Sequence, residues 1–156
     1  MSSYLGPDAI IAKKQAYIMP CLGHFYERPP QFVRGEMQYL YDHQGKKYLD
    51  CFAGVSVINC GHCNPEITAK ICQQVNTLQH VCNIYLTENF VNLAERLAKI
   101  TPGSLCKSFF CSTGSEANEG ALLLAVLYRK SSEYIALRGG LHGRTKLGMS
   151  VTGIGM

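Results

Sequence analysis

The chain has 156 residues, which is enough for one ordinary domain with a hydrophobic core. Its hydrophobic fraction of 47% and charged fraction of 17% are typical of a soluble globular protein with a large buried interior or interface. The formal net charge of +4 comes from scattered basic residues, which disfavours a nucleic-acid-binding protein. No apolar run approaches the roughly 20 residues that cross a bilayer, so we expect no membrane span.

Eight cysteines are spread over the chain, most of them within apolar stretches. Residues 1–20 lack the basic start and apolar core of a secretory signal, so we expect a reducing compartment. In such a compartment the cysteines would be small buried hydrophobic residues and not a disulfide framework. The sequence therefore predicts a cytoplasmic protein, with a mitochondrial location as the alternative.

The first third of the chain predicts a helix, an arm and a hairpin. Residues 8–17 have the pattern of a short helix, and residues 22–30, broken by glycine and proline, predict an irregular arm. Residues 37–41 and 46–50 alternate as two strands. The turn between them contains Gly45, which can adopt a positive φ angle.

A C-G-H-C tetrad from Cys60 to Cys63 follows residues 52–58, which predict an extended, buried segment. The tetrad resembles the active-site motif of protein disulfide isomerases. Asn64 as N-cap and Pro65 at the first helical position predict a helix directly after it. The chain has no tryptophan before the tetrad and no second pair of zinc ligands, which favours a tight turn with incidental cysteines over redox or metal chemistry.

Helices and strands alternate in the second half of the chain. Residues 87–100 predict an amphipathic helix, and residues 121–127 predict the body of an apolar one. Residues 107–111 predict a buried strand, residues 134–137 another short strand, and residues 147–154 the start of an extended segment. This alternation predicts an α/β fold with a mostly parallel sheet.

A small polar turn joins the strand at residues 107–111 to the helix that follows. Thr113 can cap this helix, and Glu116 three residues later completes a capping-box pattern. Gly114 lets an oxygen atom approach the backbone, and Ser115 adds an N–H group and a hydroxyl. Free N–H groups and the positive end of the helix dipole suit a phosphate, although a capped helix without a ligand has the same pattern.

Residues 139–145 form a second glycine-rich loop, after the strand at residues 134–137. Because both loops follow strands of one predicted parallel sheet, we expect them at its carboxyl edge, where α/β folds bind ligands.

Four motifs in this order resemble those of the class III pyridoxal-phosphate-dependent aminotransferases. This group includes 4-aminobutyrate, ornithine, acetylornithine and alanine–glyoxylate aminotransferases, and the hairpin is most similar to those of alanine–glyoxylate and related ω-amino-acid enzymes. The motifs are D-x-x-G-x-x-Y-L-D from Asp42 to Asp50, G-H-x-x-P from Gly61 to Pro65, S-T-G-S-E-A-N-E from Ser112 to Glu119 and L-H-G-R-T from Leu141 to Thr145.

The resemblance implies a fold-type I pyridoxal-phosphate transferase. Residues 1–60 would be the N-terminal arm and the hairpin of the small domain, and residues 61–156 the first part of the cofactor-binding large domain, incomplete at its C-terminus. The resemblance also implies pyridoxal 5′-phosphate as cofactor, a homodimer, and a small-molecule amino donor with a 2-oxo acid as acceptor.

The resemblance also implies which residues meet the cofactor. Thr113, Gly114 and Ser115 would hold its phosphate. Leu141 stands where the family usually has an aromatic ring that stacks on the pyridine, and leucine can cover that ring only by dispersion. His142 would lie beside the ring, with a packed, hydrogen-bonded role as the alternative.

On the substrate side, Arg144 matches the family's arginine that pairs with a substrate carboxylate, a task that suits a planar guanidinium. Val55 stands where some members carry a substrate-selecting aromatic residue, which disfavours an ornithine-type pocket. The family's catalytic lysine, which forms the Schiff base, is expected downstream, because neither Lys107 nor Lys146 lies in the matching motif.

We therefore expect the N-terminal part of an aminotransferase, with no catalytic residue of its own and inactive alone. Two alternatives stay open: a truncated, non-catalytic form that acts only by dimerisation, and a thiol–disulfide oxidoreductase that uses Cys60 and Cys63.

Overall fold

The computed structural model describes residues 4–154, which form two compact units. One unit extends to Cys82, and the other begins at Asn83. Along the described residues the elements are α1 Pro7–Tyr17, β1 Phe32–Glu36, β2 Tyr39–Asp42, β3 Lys47–Leu49, α2 Ala53–Ser56, α3 Pro65–Thr77, α4 Glu88–Ile100, α5 Gly114–Arg129 and α6 Lys146–Ser150.

The first unit contains an antiparallel sheet in the order β1-β2-β3. The predicted hairpin is confirmed as β2 and β3, with Leu40 opposite Tyr48. The sequence pattern missed β1, whose pairing with β2 shifts register between Phe32 and Arg34. Such an irregularity breaks the strict alternation by which strands are predicted.

Asp42 organises the turn of this hairpin. One of its carboxylate oxygens accepts the N–H groups of Gln44 and Lys46, both at 2.9 Å, and the Tyr48 hydroxyl donates to the other at 2.9 Å. Burial opposes ionisation, but the Tyr48 hydroxyl and the two N–H groups hold the pKa of Asp42 below its ordinary value. These contacts explain the spacing of the D-x-x-G-x-x-Y part of the motif.

The helices expected from local capping signals are confirmed as α1, α3, α4 and α5. In α3, Asn64 Oδ1 accepts the N–H groups of Glu66 at 3.0 Å and Ile67 at 3.4 Å, and Pro65 occupies the first position. Local residues are therefore sufficient to begin α3.

The prediction of an extended, buried segment at residues 52–58 is wrong. The chain instead makes the short turn α2, whose residues Ala53, Gly54, Val55 and Ser56 all have positive φ angles. Val55 is 69% exposed. The cause lies just upstream. The Asp50 carboxylate accepts the N–H groups of Phe52 and Ala53, which are therefore not available to extend β3.

The two segments predicted as strands in the second unit are also unpaired. Within residues 4–154 the one sheet is antiparallel, and neither residues 107–111 nor residues 134–137 join it. Phe109 is 92% exposed, so the prediction of a buried strand is wrong for this part of the chain. A strand needs a hydrogen-bonded neighbour, and the described residues supply none here.

Residues 147–154 were expected to be extended, but α6 occupies Lys146–Ser150. Thr145 at its N-cap makes no side-chain capping bond. The Glu119 carboxylate accepts the N–H groups of Leu147 and Gly148 instead, at 3.0 and 3.2 Å. A contact from a distant residue therefore begins this helix, and local sequence could not predict it.

Burial is sparse in the part of the chain that the structure describes. Asp42, Gly148 and Val151 alone are buried there. All eight cysteines are exposed, so the expectation that they are buried is wrong. The segments that carry them have no second layer over them among the described residues. None of the helices in residues 4–154 has the length and apolar character needed to cross a membrane.

Candidate functional site

The N-terminus of α5 is built by a capping box, as the sequence predicts. Thr113 Oγ1 accepts the N–H of Glu116 at 3.1 Å. In return the Glu116 carboxylate accepts the N–H groups of Thr113 at 3.1 Å and Ser112 at 2.8 Å. These reciprocal bonds fix the turn before the helix.

The capping box leaves donors free in the first turn. Among the described residues, the N–H groups of Gly114 and Ser115 have no hydrogen-bond partner. A Cβ atom added at Gly114 would meet nothing within 4 Å, so the space in front of the turn is open. Two free N–H groups, an open approach and the positive end of a 16-residue helix fit a phosphate group.

The second glycine-rich loop lies directly against this turn. The N–H of Arg144 donates to Ser115 Oγ at 3.3 Å. Gly143 has a φ angle of 110°, and a Cβ atom there would lie 2.5 Å from Ser115 Oγ and 2.9 Å from Ser115 Cα. The contact between the loops therefore requires glycine at position 143.

Two further residues of α5 hold the second loop. Asn118 donates to the His142 carbonyl oxygen at 3.0 Å, and Glu119 accepts the two N–H groups at the start of α6. With Ser115 they are spaced i, i+3, i+4 on one face of α5. The Thr145 hydroxyl beside Glu119 and the N–H groups of Gly148 and Leu147 hold the pKa of Glu119 below its ordinary value.

The predicted site residues belong to both units, with Val55 in the first and all the others in the second. The loops bring Ser115, His142 and Arg144 together, with the N–H of His142 donating to Thr152 Oγ1 at 3.1 Å. The Arg144 side chain is exposed and makes no ion pair within residues 4–154. Leu141 is 59% exposed, and Val55 lies in the first unit.

The C-G-H-C tetrad does not have the geometry of a helix-activated thiol. Helix α3 begins at Pro65, after both cysteines, with Asn64 as its cap. The His62 backbone pairs with Met37 through two hydrogen bonds of 2.7 Å, and its ring contacts Asp50. These contacts give the tetrad's histidine a role in holding the turn.

Sequence reasoning missed Asn118, Glu119 and Gly143 as parts of the site. Their signal was the helical spacing of the two polar side chains from Ser115, together with a glycine between His142 and Arg144. Neither signal identifies a partner until the two loops are seen in contact.

Comparison with known proteins gives consistent matches. A family model described as Aminotransferase class-III matches residues 26–155. Alanine–glyoxylate aminotransferase 2 homolog 2, mitochondrial, of Arabidopsis thaliana is 41% identical over 155 residues, which are 98% of this chain and 32% of that protein.

Solved structures match over nearly the whole chain as well. A phospholyase from Arthrobacter in complex with phosphoethanolamine has a TM-score of 0.86 at 33% identity, covering 94% of this chain and 34% of its own. An (S)-enantioselective ω-transaminase from Thermomicrobium roseum has a TM-score of 0.78 at 31% identity, with coverages of 97% and 36%. The chain spans about a third of the length of the relatives it matches.

Proposed function

The chain belongs to the class III aminotransferases, whose cofactor is pyridoxal 5′-phosphate, and we propose that it serves amino transfer from an amino acid or ω-amine to a 2-oxo acid. The expected α/β, fold-type I class is confirmed by the likeness to the ω-transaminase. The observation that carries the proposal is the contact between the two glycine-bearing loops through Ser115, Gly143 and the N–H of Arg144.

In this proposal the first turn of α5 holds the cofactor phosphate. The N–H groups of Gly114 and Ser115 and the Ser115 hydroxyl bind its oxygens, and Thr113 fixes the turn. Because Ser115 Oγ already accepts the N–H of Arg144, its own hydrogen is available to donate to phosphate. Leu141 and His142 belong beside the pyridine ring. When bound, the cofactor supplies an electron sink for the substrate's α-carbon.

Arg144 is proposed to bind the substrate carboxylate. Its exposed guanidinium, without an ion pair in the described residues, is free to take a bidentate partner, and its backbone is anchored to Ser115. Val55 is proposed to contact the donor's carbon chain. Neither residue moves a proton, so both bind and orient.

We extend the proposal to the whole protein. The catalytic lysine lies outside residues 1–156, which is supported by the chain's coverage of about a third of its relatives. Residues 1–60 form the arm and small-domain part, and residues 61–156 begin the large domain. The protein is a cytoplasmic homodimer, with mitochondria as the alternative because three relatives are named mitochondrial.

A non-catalytic role by dimerisation alone is a second candidate. It is favoured by the amount of apolar surface that the described residues leave exposed, such as Leu127 at 64% and Tyr128 at 86%. A chain of this kind would bind a partner subunit without completing amino transfer.

The test is transfer of ¹⁵N from labelled alanine to glyoxylate, followed by mass spectrometry of the glycine formed. The same sample is reduced with borohydride and digested, to locate a lysine that carries the cofactor. We expect labelled glycine and a modified lysine outside residues 1–156.

Three other outcomes would overturn parts of the proposal. A modified Lys107 or Lys146 would contradict the position of the lysine. Release of inorganic phosphate from phosphoethanolamine without ¹⁵N transfer would indicate a lyase. Dimerisation with no transfer at all would support the non-catalytic form.

A further inference from the structure

The first unit contains a strained backbone turn, α2, just after β3. Four successive residues, from Ala53 to Ser56, have φ angles of 48°, 62°, 65° and 65°. Three of them are not glycine, and Val55 is β-branched, which makes its φ of 65° and ψ of 49° a strong outlier. Such a conformation persists only where the surroundings hold it.

Asp50 holds the start of this turn. Its Oδ1 accepts the N–H groups of Phe52 and Ala53, both at 2.9 Å. Its Oδ2 lies 2.7 Å from His62 Nε2, and the Asp50 side chain is only 9% exposed. The His62 ring and the N–H groups of Ala53 and Phe52 keep the pKa of Asp50 below its ordinary value, so the carboxylate is ionised and His62 Nε2 donates.

His62 is itself fixed from three sides. Its backbone N–H and carbonyl both pair with Met37 at 2.7 Å. A Cβ atom at Gly35 would lie 2.7 Å from His62 Cβ, so glycine makes room for the histidine. Asp50, Ala53 and His62 also line one open cleft of ≈ 350 Å³.

We propose that Asp50 and His62 are positioning residues that clamp residues 53–56 in the left-handed conformation and so set the size selectivity for the amino donor through Val55. The turn presents Phe52, Val55 and Val57, which are 63%, 69% and 74% exposed. An apolar tip of this kind suits the carbon chain of a donor and not its charged ends. This inference rests on the proposed function, because it assigns Val55 to the donor.

The clamp is tested first without cofactor, by amide hydrogen exchange of the chain. His62→Leu removes the donor to Asp50, whereas His62→Gln keeps one. We expect the amides of Phe52 and Ala53 to exchange at least tenfold faster in His62→Leu and to recover in His62→Gln. The Ile67 amide, capped by Asn64, serves as the internal reference and should not change. Equal exchange in both variants would overturn the clamp.

A second pair of variants tests the strain and does not depend on His62. Val55→Gly should raise the melting temperature by about 2–4 °C, because the steric strain of a β-branched residue at positive φ outweighs the entropic cost of glycine. Val57 is similarly exposed but has a φ of −95°, so Val57→Gly should lower it. Destabilisation by both variants would contradict the left-handed turn.

Selectivity is then measured as the ratio of kcat/KM for a small and a bulky amino donor. We expect His62→Leu to change this ratio about fivefold, through KM, with cofactor affinity unchanged, and His62→Gln to restore it. If His62→Leu lowered kcat/KM equally for the two donors, the effect would be a general structural loss, and the role in selectivity would be overturned. A wild-type protein without amino transfer would overturn that role together with the proposed function, while the exchange result would still decide the clamp.

Discussion

At the scale of single residues, Gly143 carries the tightest constraint in the second unit. It combines a φ angle of 110° with a distance of 2.5 Å between Ser115 Oγ and any Cβ atom at this position. The sequence motif shows a glycine there, but only the contact between two loops 29 residues apart shows why.

Gly143→Ala should separate the loop from Ser115 and weaken binding of a phosphate ligand at least tenfold. Gly139→Ala is the matched control, because Gly139 has a φ angle of 79° in the same segment but nothing within 4 Å of an added Cβ. Both variants bear the strain of positive φ, and only Gly143→Ala adds the clash. Isothermal titration with inorganic phosphate measures the difference, and equal losses would contradict the steric account.

Glu119 should make the docking of α6 sensitive to acid. Its folded-state pKa lies below the ordinary value, so its contribution to stability is fully present above the unfolded-state pKa. That contribution is lost as pH falls through the lowered folded-state value. Glu119→Gln should therefore flatten the decline of unfolding free energy below about pH 4.5, relative to the parent. Urea unfolding across pH measures this slope, and parallel curves for the two proteins would refute it.

At the scale of elements, α3 and α5 were predictable from their side-chain caps, whereas α6, whose first N–H groups are bound by Glu119 from 28 residues away, was not. Asn64 and Thr113 are read directly from the sequence as N-caps of α3 and α5. Helix α6 depends on Glu119, and the turn at residues 53–56 depends on Asp50 and His62. The spacing of apolar residues, with a period of 2 or 3.6, carries no information about such contacts. Residues 52–58 and 147–154 were therefore both predicted as extended.

Thr113→Ala should lower the free energy of unfolding by about 1 kcal/mol, since it removes one half of the capping box. Thr87→Ala is the matched control, because Thr87 is the N-cap of α4 but makes no side-chain capping bond. The free energy of unfolding should fall by no more than about 0.5 kcal/mol in Thr87→Ala. Chemical denaturation of both variants compares them, and an equal loss would mean that the capping bond contributes little.

At the scale of the whole molecule, four weak motifs in family order identified the class and the cofactor that no single motif establishes. Turn chemistry predicted the hairpin and helix capping predicted the turn before α5, so these parts of the fold were predictable. Residues 107–111 and 134–137 pair with no strand among the described residues, and the local pattern from which both were predicted as strands gives no information about pairing.

The exposed apolar side chains lead to a prediction about association. Leu124, Leu127 and Ile135 are 68%, 64% and 105% exposed within the second unit. Surfaces of this kind are covered by other protein in stable assemblies. The purified chain should self-associate with rising concentration and bind a hydrophobic dye. Analytical ultracentrifugation that finds a monomer at all concentrations, without dye binding, would contradict this expectation.

Binding of the cofactor phosphate by the first turn of α5 is the proposal on which the proposed function depends most. Its most direct test is calorimetric titration with 4-deoxypyridoxine 5′-phosphate and with 4-deoxypyridoxine, two ring compounds without an aldehyde, so lysine chemistry does not interfere. We predict that the phosphate ester binds at least tenfold more tightly, and that Ser115→Ala removes most of this preference. Equal affinity for the two compounds, or a preference that Ser115→Ala leaves unchanged, would contradict the account.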